Sequence, residues 1–198
     1  MARRFTALPR VGWTAQPWAN GRGVTHEIAA DRSVVAPALP NAAPFKYRLS
    51  VADLRQPGGA FSQIVGVDRL FTLLSGNGVS LSVGGAPAAA VGVLEPFAFA
   101  GDVSVTSAVE VDARPLNLMW DRARCTADVT VFCNGFDLAS LDTSAAVTLV
   151  LALDDVRLSV PGQEPDLVVP AGDAAMVTAG PGACSGRCVA ARVFERLP

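Results

Sequence analysis

Histidine occurs once in this chain, at His26, and that scarcity excludes more chemistry than any other feature of the sequence. First-row metals favour clusters of imidazole and carboxylate ligands, so a single histidine leaves a carboxylate-rich site as the only route to a bound metal, and none is expected. A Ser-His-Asp or Cys-His arrangement would have to use His26. The four cysteines, Cys125, Cys133, Cys184 and Cys188, include no CxxC pair and match no zinc spacing. They read as ordinary buried thiols, although the glycine-rich GACSGRC turn could bring Cys184 and Cys188 together as a redox pair. Charge is also sparse, with 16 basic and 18 acidic residues scattered without a like-charged run. Neither nucleic acid nor an anionic membrane surface is an expected partner. No window reaches the roughly 20 apolar residues that span a bilayer. The twin Arg3-Arg4 is followed by Pro9 and Arg10 before any apolar run, so no Sec or Tat signal is expected and the cytoplasm is the expected compartment. No GxxxxGK[ST] or GxGxxG stands between a strand and a helix, so no cofactor is called for.

What is present is apolar and strand-like. Hydrophobic residues make up 51% of the chain and charged ones 17%, ample for a buried core. The 18 glycines and 14 prolines recur too often for long helices. Short runs such as VTHEIA, FKYRLSVA, RLFTLLS, VSLSVG, PLNLMW, DVTVFC and AVTLVLAL alternate or are continuously apolar, and together predict an all-β sandwich or barrel. GNG at Gly76–Gly78 reads as a hairpin turn between FTLLS and VSLSV.

A faint repeat accompanies the strands. LSVGG from Leu81, leading to LEPFAFAGDVSVT, parallels LSVPG from Leu158, leading to LVVPAGDAAMVT, with Gly101-Asp102 matched to Gly172-Asp173. The Pro170–Asp173 step resembles a turn of cupin barrels. The fold expected is therefore a bicupin, two jelly-roll-like β-barrels in one compact unit, with residues 1–122 as the first barrel, 123–198 as the second, more variable one, and strands exchanged between them.

Several polar residues interrupt the apolar strands. Alternation puts Thr25 and Glu27 on one face and His26 with Ile28 on the other. It also separates Arg48 and Ser50 from Phe45, Tyr47 and Leu49, so that the arginine faces either solvent or a barrel lumen. An arginine in a lumen offers a planar donor fork suited to a carboxylate. Asn117 shares a face with Met119, and Ser62 and Asp68-Arg69 punctuate the run GAFSQIVGVDRLF.

WANGRGVTHEIA, FKYRLSVA, GAFSQIVGVDRLFTLLSGNG, FAFAGD and LNLMWDR occur in the order and approximate spacing of motifs of the HutD/Ves family, which the chain resembles from about Trp18 to Arg122. The resemblance implies a bicupin without a catalytic metal, linked in some members to histidine catabolism through binding of a formyl- or formimino-glutamate-like intermediate. It marks as ligand-binding Trp18, Asn20, Thr25 and Glu27, then Arg48 and Ser50, then Phe61, Ser62, Asp68 and Arg69, and finally Asp102, Asn117 and Arg122. Arg22 stands where the family tends to have glycine, which raises the question of whether that position needs a positive φ. The expected function is non-enzymatic binding of a small carboxylate that modulates amino-acid catabolism, with room for a homodimer. The alternative is a metal-free enzyme using Glu27 or Asp102 as general base. A third reading is a scaffold that associates through a sheet edge.

Overall fold

The computed structural model describes residues 5–18, 21–33, 42–142, 144–178 and 180–196. Its strands, in chain order, are β1 Phe5–Leu8, β2 Thr14–Pro17, β3 Gly23–Asp31, β4 Tyr47–Leu54, β5 Gly58–Ala60, β6 Val67–Ser75, β7 Val79–Val83, β8 Ala89–Ala90, β9 Pro96–Ala100 and β10 Val105–Val109. They continue as β11 Arg114–Asp121, β12 Cys125–Phe132, β13 Phe136–Asp137, β14 Val147–Ala152, β15 Val156–Val160, β16 Gln163–Val169, β17 Ala174–Val177, β18 Ala183–Ser185 and β19 Cys188–Glu195. The helical turns among the described residues are two short 3-10 segments, Arg10–Gly12 and Leu138–Ser140. The fold is all-β, in keeping with the short alternating runs and the glycine and proline that interrupt them. No helix among the described residues is long and apolar enough to cross a membrane.

The chain divides into two compact units. One spans Thr14–Thr126; the other joins β1 to Ala127–Glu195. The N-terminal strand therefore belongs with the later part of the sequence, because Phe5–Leu8 pairs along Val177–Ala174 of β17. In the first unit a six-stranded sheet ordered β2-β3-β4-β11-β6-β9 is matched with a four-stranded sheet ordered β5-β10-β7-β8. The second unit has sheets ordered β1-β17-β14-β19-β12 and β13-β18-β15-β16. The four-stranded sheets correspond strand for strand, each unit being a cupin-like jelly roll of two open sheets rather than a closed barrel.

That correspondence corrects the offset of the sequence repeat. β7 and β15 occupy equivalent places, but the Gly-Asp after the next long strand does not: Gly101 follows β9, which pairs with β6, whereas Gly172 follows β16, which pairs with β15. Gly172 has a φ of 86° and Gly101 is not among the positive-φ glycines. The duplication lies in strand order, and the two Gly-Asp steps are separate solutions to turning a corner. The GNG expectation is corrected too. β6 and β7 lie in different sheets, so Gly76 and Gly78, with φ of 95° and 64°, carry the chain from one sheet to the other instead of closing a hairpin.

Each unit has its own core. In the first, Leu54, Phe71, Leu73, Val79, Leu81, Val105 and Val109 pack between the two sheets. In the second, Leu138, Val150, Val156, Leu158, Val169, Ala175 and Val177 do the same, joined by the thiols of Cys184 and Cys188. Cys125 is also buried, but Cys133 is exposed, against the expectation for it. Arg22 escapes the constraint raised above: Gly21, with φ of 69°, takes the left-handed position, and the Arg22 side chain donates to the Gly58 carbonyl at 3.2 Å.

A candidate carboxylate-binding cavity

The six-stranded sheet of the first unit aligns polar groups in two rungs. Its register sets Glu27, Ser50, Asn117 and Phe71 opposite one another across β3, β4, β11 and β6. The next rung on the same face sets Arg48, Met119, Arg69 and Phe99 across β4, β11, β6 and β9. Strand side chains two residues apart share a face, so both rungs face the four-stranded sheet. A β-bulge between Glu27 and Ala29 breaks the β3–β4 register.

Between the sheets lies a cavity of about 380 Å³ lined by Trp18, Thr25, Arg48, Ser50, Phe61, Ser62, Arg69 and Asn117, together with Gly59, Ala60, Ile64, Ser107 and Met119. The first eight are among the residues marked from sequence. Arg48 and Ser50 thus face a lumen, not solvent. Trp18 donates its indole N–H to the Thr25 hydroxyl at 2.8 Å, fixing the ring as a wall. Phe61 packs edge-on against Phe71 and Phe99, with ring centroids 6.0 and 5.8 Å apart. On the far side, the Ser107 hydroxyl both donates to the Gly59 carbonyl and accepts from its N–H, each at 3.1 Å. That close approach needs glycine at position 58, where φ is 92° and a Cβ would collide with the Ser107 carbonyl oxygen.

Arg69 dominates the electrostatics. It is 4% exposed, forms no ion pair with a carboxylate among the described residues, and donates to the Ser62 carbonyl while its guanidinium lies 5.8 Å from the Phe99 ring centre. Among the described residues its Nε has no hydrogen-bond partner, and neither does the buried Oδ1 of Asn117. Burial, and then the nearby Arg48 charge, push the Arg69 guanidinium down to about 10, so it is still cationic at neutral pH. Arg48 differs. Its Nε sits 2.9 Å from Glu27 and its Nη2 donates to Gln16 at 3.2 Å. Burial lowers the Arg48 guanidinium, with the Glu27 charge opposing.

The other marked residues are placed elsewhere. Glu27 does not line the cavity; it accepts two hydrogen bonds from Arg32, at 2.8 and 2.7 Å, and pairs with Arg48. Asp68 precedes Arg69 on β6, and alternation turns it to the opposite face. There Arg122 gathers Asp68 at 2.9 Å, Asp102 at 2.7 Å and the Val67 carbonyl at 2.6 Å. Asp68, Asp102 and Arg122 therefore form an ion-pair clamp outside the lining of this cavity. Asn20 lies outside the described residues. His26 bonds Asp53 at 2.8 Å, away from the cavity lining.

Glu27 and Asp102, the two carboxylates weighed as general bases, are both held by arginines. The hydrogen bonds from Arg32 hold the Glu27 carboxyl below its ordinary 4.5, and those from Arg122 hold Asp102 below 3.8, each against a smaller opposing effect of burial. Both folded-state values are depressed, so the unfolded chain binds protons more readily. The stabilisation is present above the ordinary values and is lost as pH falls through the folded ones. Arg122→Met is expected to flatten the acid limb of the stability profile, read as thermal midpoint between roughly pH 2 and 6. An unchanged limb would mean the clamp contributes nothing.

Met119 was within reach of the sequence because it shares the Asn117 face. Ser107, Gly59 and Ala60 come from the opposite sheet, and no local pattern links them to Arg69. The larger groove of the second unit, about 880 Å³, is open and bordered by Asp137, Asp166 and backbone-rich turns, with no arginine among the described residues of its lining.

Comparison with known proteins places the chain in a family. The HutD family model matches residues 12–191. An uncharacterised 21.2 kDa protein of the hutC 3′ region in Pseudomonas putida is 34% identical over 149 residues, 75% of this chain and 74% of that protein. Protein Ves of Cronobacter sakazakii is 38% identical over 117 residues, 58% of this chain and 59% of its own. Among solved structures, HutD from Pseudomonas fluorescens SBW25 (formate condition) matches with a TM-score of 0.78 and 27% identity, over 98% of this chain and 100% of that one. A cupin 2 conserved barrel domain protein from Leptotrichia buccalis, 13% identical with a TM-score of 0.54 over 88% and 89% of the two chains, shares the fold.

Proposed function

The chain belongs to the HutD family, and on that premise we propose that its first unit binds a small carboxylate metabolite without turning it over, and thereby modulates amino-acid catabolism. One observation carries the reading: Arg69 points a buried cation into a cavity whose described residues offer it no carboxylate. A buried charge is costly unless paired, so an incoming acid supplies what the fold lacks. Ser50, Ser62 and Asn117 surround the charge with hydrogen-bonding groups. The unpartnered Asn117 Oδ1 accepts only from a donor, which favours an acid that also carries an N–H. The cavity volume of about 380 Å³ is at the small end for ligand sites and suits an acyl- or formimino-glutamate. A formate condition is named for the HutD structure of P. fluorescens, and formate is the smallest member of this ligand class.

The ion pairs of Glu27 with Arg32 and Arg48 and of Asp102 with Arg122 count against the enzyme alternative, which would use these carboxylates as bases. Association through a sheet edge gives no account of the polar cavity.

The test is a thermal-shift and calorimetric series with formylglutamate, formiminoglutamate, glutamate, urocanate, histidine and formate. An acyl- or formimino-glutamate is expected to raise the thermal midpoint, because a ligand at about 100 times its Kd stabilises the folded state by about 2.7 kcal/mol. Heat of binding with no carboxylate of the series would overturn the reading.

A further inference from the structure

The sequence motif GACSGRC is not absorbed by the cavity, and its two thiols lie in the other unit. Cys184 sits on β18, in the sheet ordered β13-β18-β15-β16, and Cys188 opens β19, in the facing sheet. Only Ser185, Gly186 and Arg187 separate them. Gly186, with φ of 98°, makes a turn so close that a Cβ would stand 2.7 Å from the Asp155 carbonyl oxygen. The chain thus crosses between sheets and points both sulfurs into the same core, 3.9 Å apart. The pair is unequal in access. Cys184, 3% exposed, borders the open groove of the second unit, while Cys188 is fully buried behind it.

We infer that Cys184 and Cys188 form a thiol-modification site for small-molecule disulfides, with Cys184 as the attacking sulfur and Cys188 as the resolving one. The Cys184 thiol loses its proton to water and its sulfur attacks the reagent R–S–S–R. One Cys184–S–S–R bond forms and one R–S⁻ leaves, taking up a proton as RSH. Cys188 then attacks the Cys184 sulfur, giving up its own proton, and expels the second RSH. Two protein thiols are oxidised and one disulfide is reduced to two thiols, so atoms and electrons balance. The contact between the sulfurs divides the roles the same way: the hydrogen bond from Cys188 holds Cys184 below its ordinary value, and the same contact together with burial raises Cys188. The product ties one sheet of the unit to the other. Its closed loop is so short that little chain entropy is removed, and the thermal midpoint is expected to move only slightly.

Oxidised glutathione is the probe, applied to the full folded chain carrying Cys133→Ser so that the exposed thiol does not compete. Peptide mapping by mass spectrometry reads the products. A Cys184–Cys188 cross-link is expected in this background, with a glutathione adduct arrested on Cys184 when Cys188→Ser is added. An unmodified Cys188 is expected when Cys184→Ser is added. The inference fails if the folded protein yields no cross-link while the same treatment modifies Cys133 in the natural chain. It fails equally if cross-linking occurs only in denaturant, or if Cys188 takes the adduct in Cys184→Ser. The mapping of the Cys133→Ser protein decides the question even where a second substitution prevents folding.

Discussion

Arg69→Met is expected to weaken small-acid binding roughly tenfold to a hundredfold, the loss of a charge-assisted contact of about 1.5–3 kcal/mol, while leaving the unliganded protein within about 1 kcal/mol of its parent or more stable. The two halves of that expectation have one cause. A guanidinium 4% exposed, held by the Ser62 carbonyl and the face of Phe99 and by no carboxylate among the described residues, is a cation whose desolvation the protein only partly offsets. Methionine fills similar space without the charge, at the expense of the hydrogen bond to Ser62. Calorimetric titration with an acyl-glutamate measures the first half and urea unfolding the second. Unchanged affinity would make Arg69 a strut for the loop at Ser62, and a large fall in stability would mean the guanidinium is held for packing. Arg48→Met is the informative companion, since Arg48 already shares Glu27 with Arg32 and its removal should cost less.

Phe71→Ala should be the most damaging single change in the first unit, lowering the free energy of unfolding by about 3–5 kcal/mol. Phe71 has no solvent exposure, stands beside Asn117 at the end of the Ser50–Asn117–Phe71 rung, and supports Phe61, whose ring forms a cavity wall. A loss near 1 kcal/mol in urea denaturation would show that the surrounding side chains collapse into the space. Binding should suffer with stability here, in contrast to Arg69→Met, because the wall loses its backing while the cation stays.

Much of this was legible in the sequence. Period-two alternation in FKYRLSVA put Arg48 and Ser50 on a face apart from Leu49, and β4 keeps that division. LNLMW paired Asn117 with Met119, and both line the cavity. Failures arose where the outcome depends on partners distant in sequence. Asp68 and Arg69 are adjacent, so only one can face inward, and nothing local says which; the answer comes from Arg122, 54 residues from Asp68 and waiting on the outer face. Glu27 looked available because Arg32 lies beyond the strand motif that drew notice to it. Ser107 carried no signal at all, since a serine within VTSAV is ordinary until the opposite sheet is known. The repeat was visible as composition and misplaced in register, because proline, glycine and aspartate suit many corners.

Trp18 gives the cavity its own optical probe. Of the three tryptophans, Trp13 and Trp120 are each 9% exposed and take no part in the lining, whereas the Trp18 indole stands in the wall with its N–H bound to Thr25. An anion entering beside Arg69 changes the local field around one fluorophore in three, so emission intensity and wavelength report occupancy without a label. In Trp18→Phe that change in emission disappears while the fluorescence of the two remaining indoles persists as an internal reference.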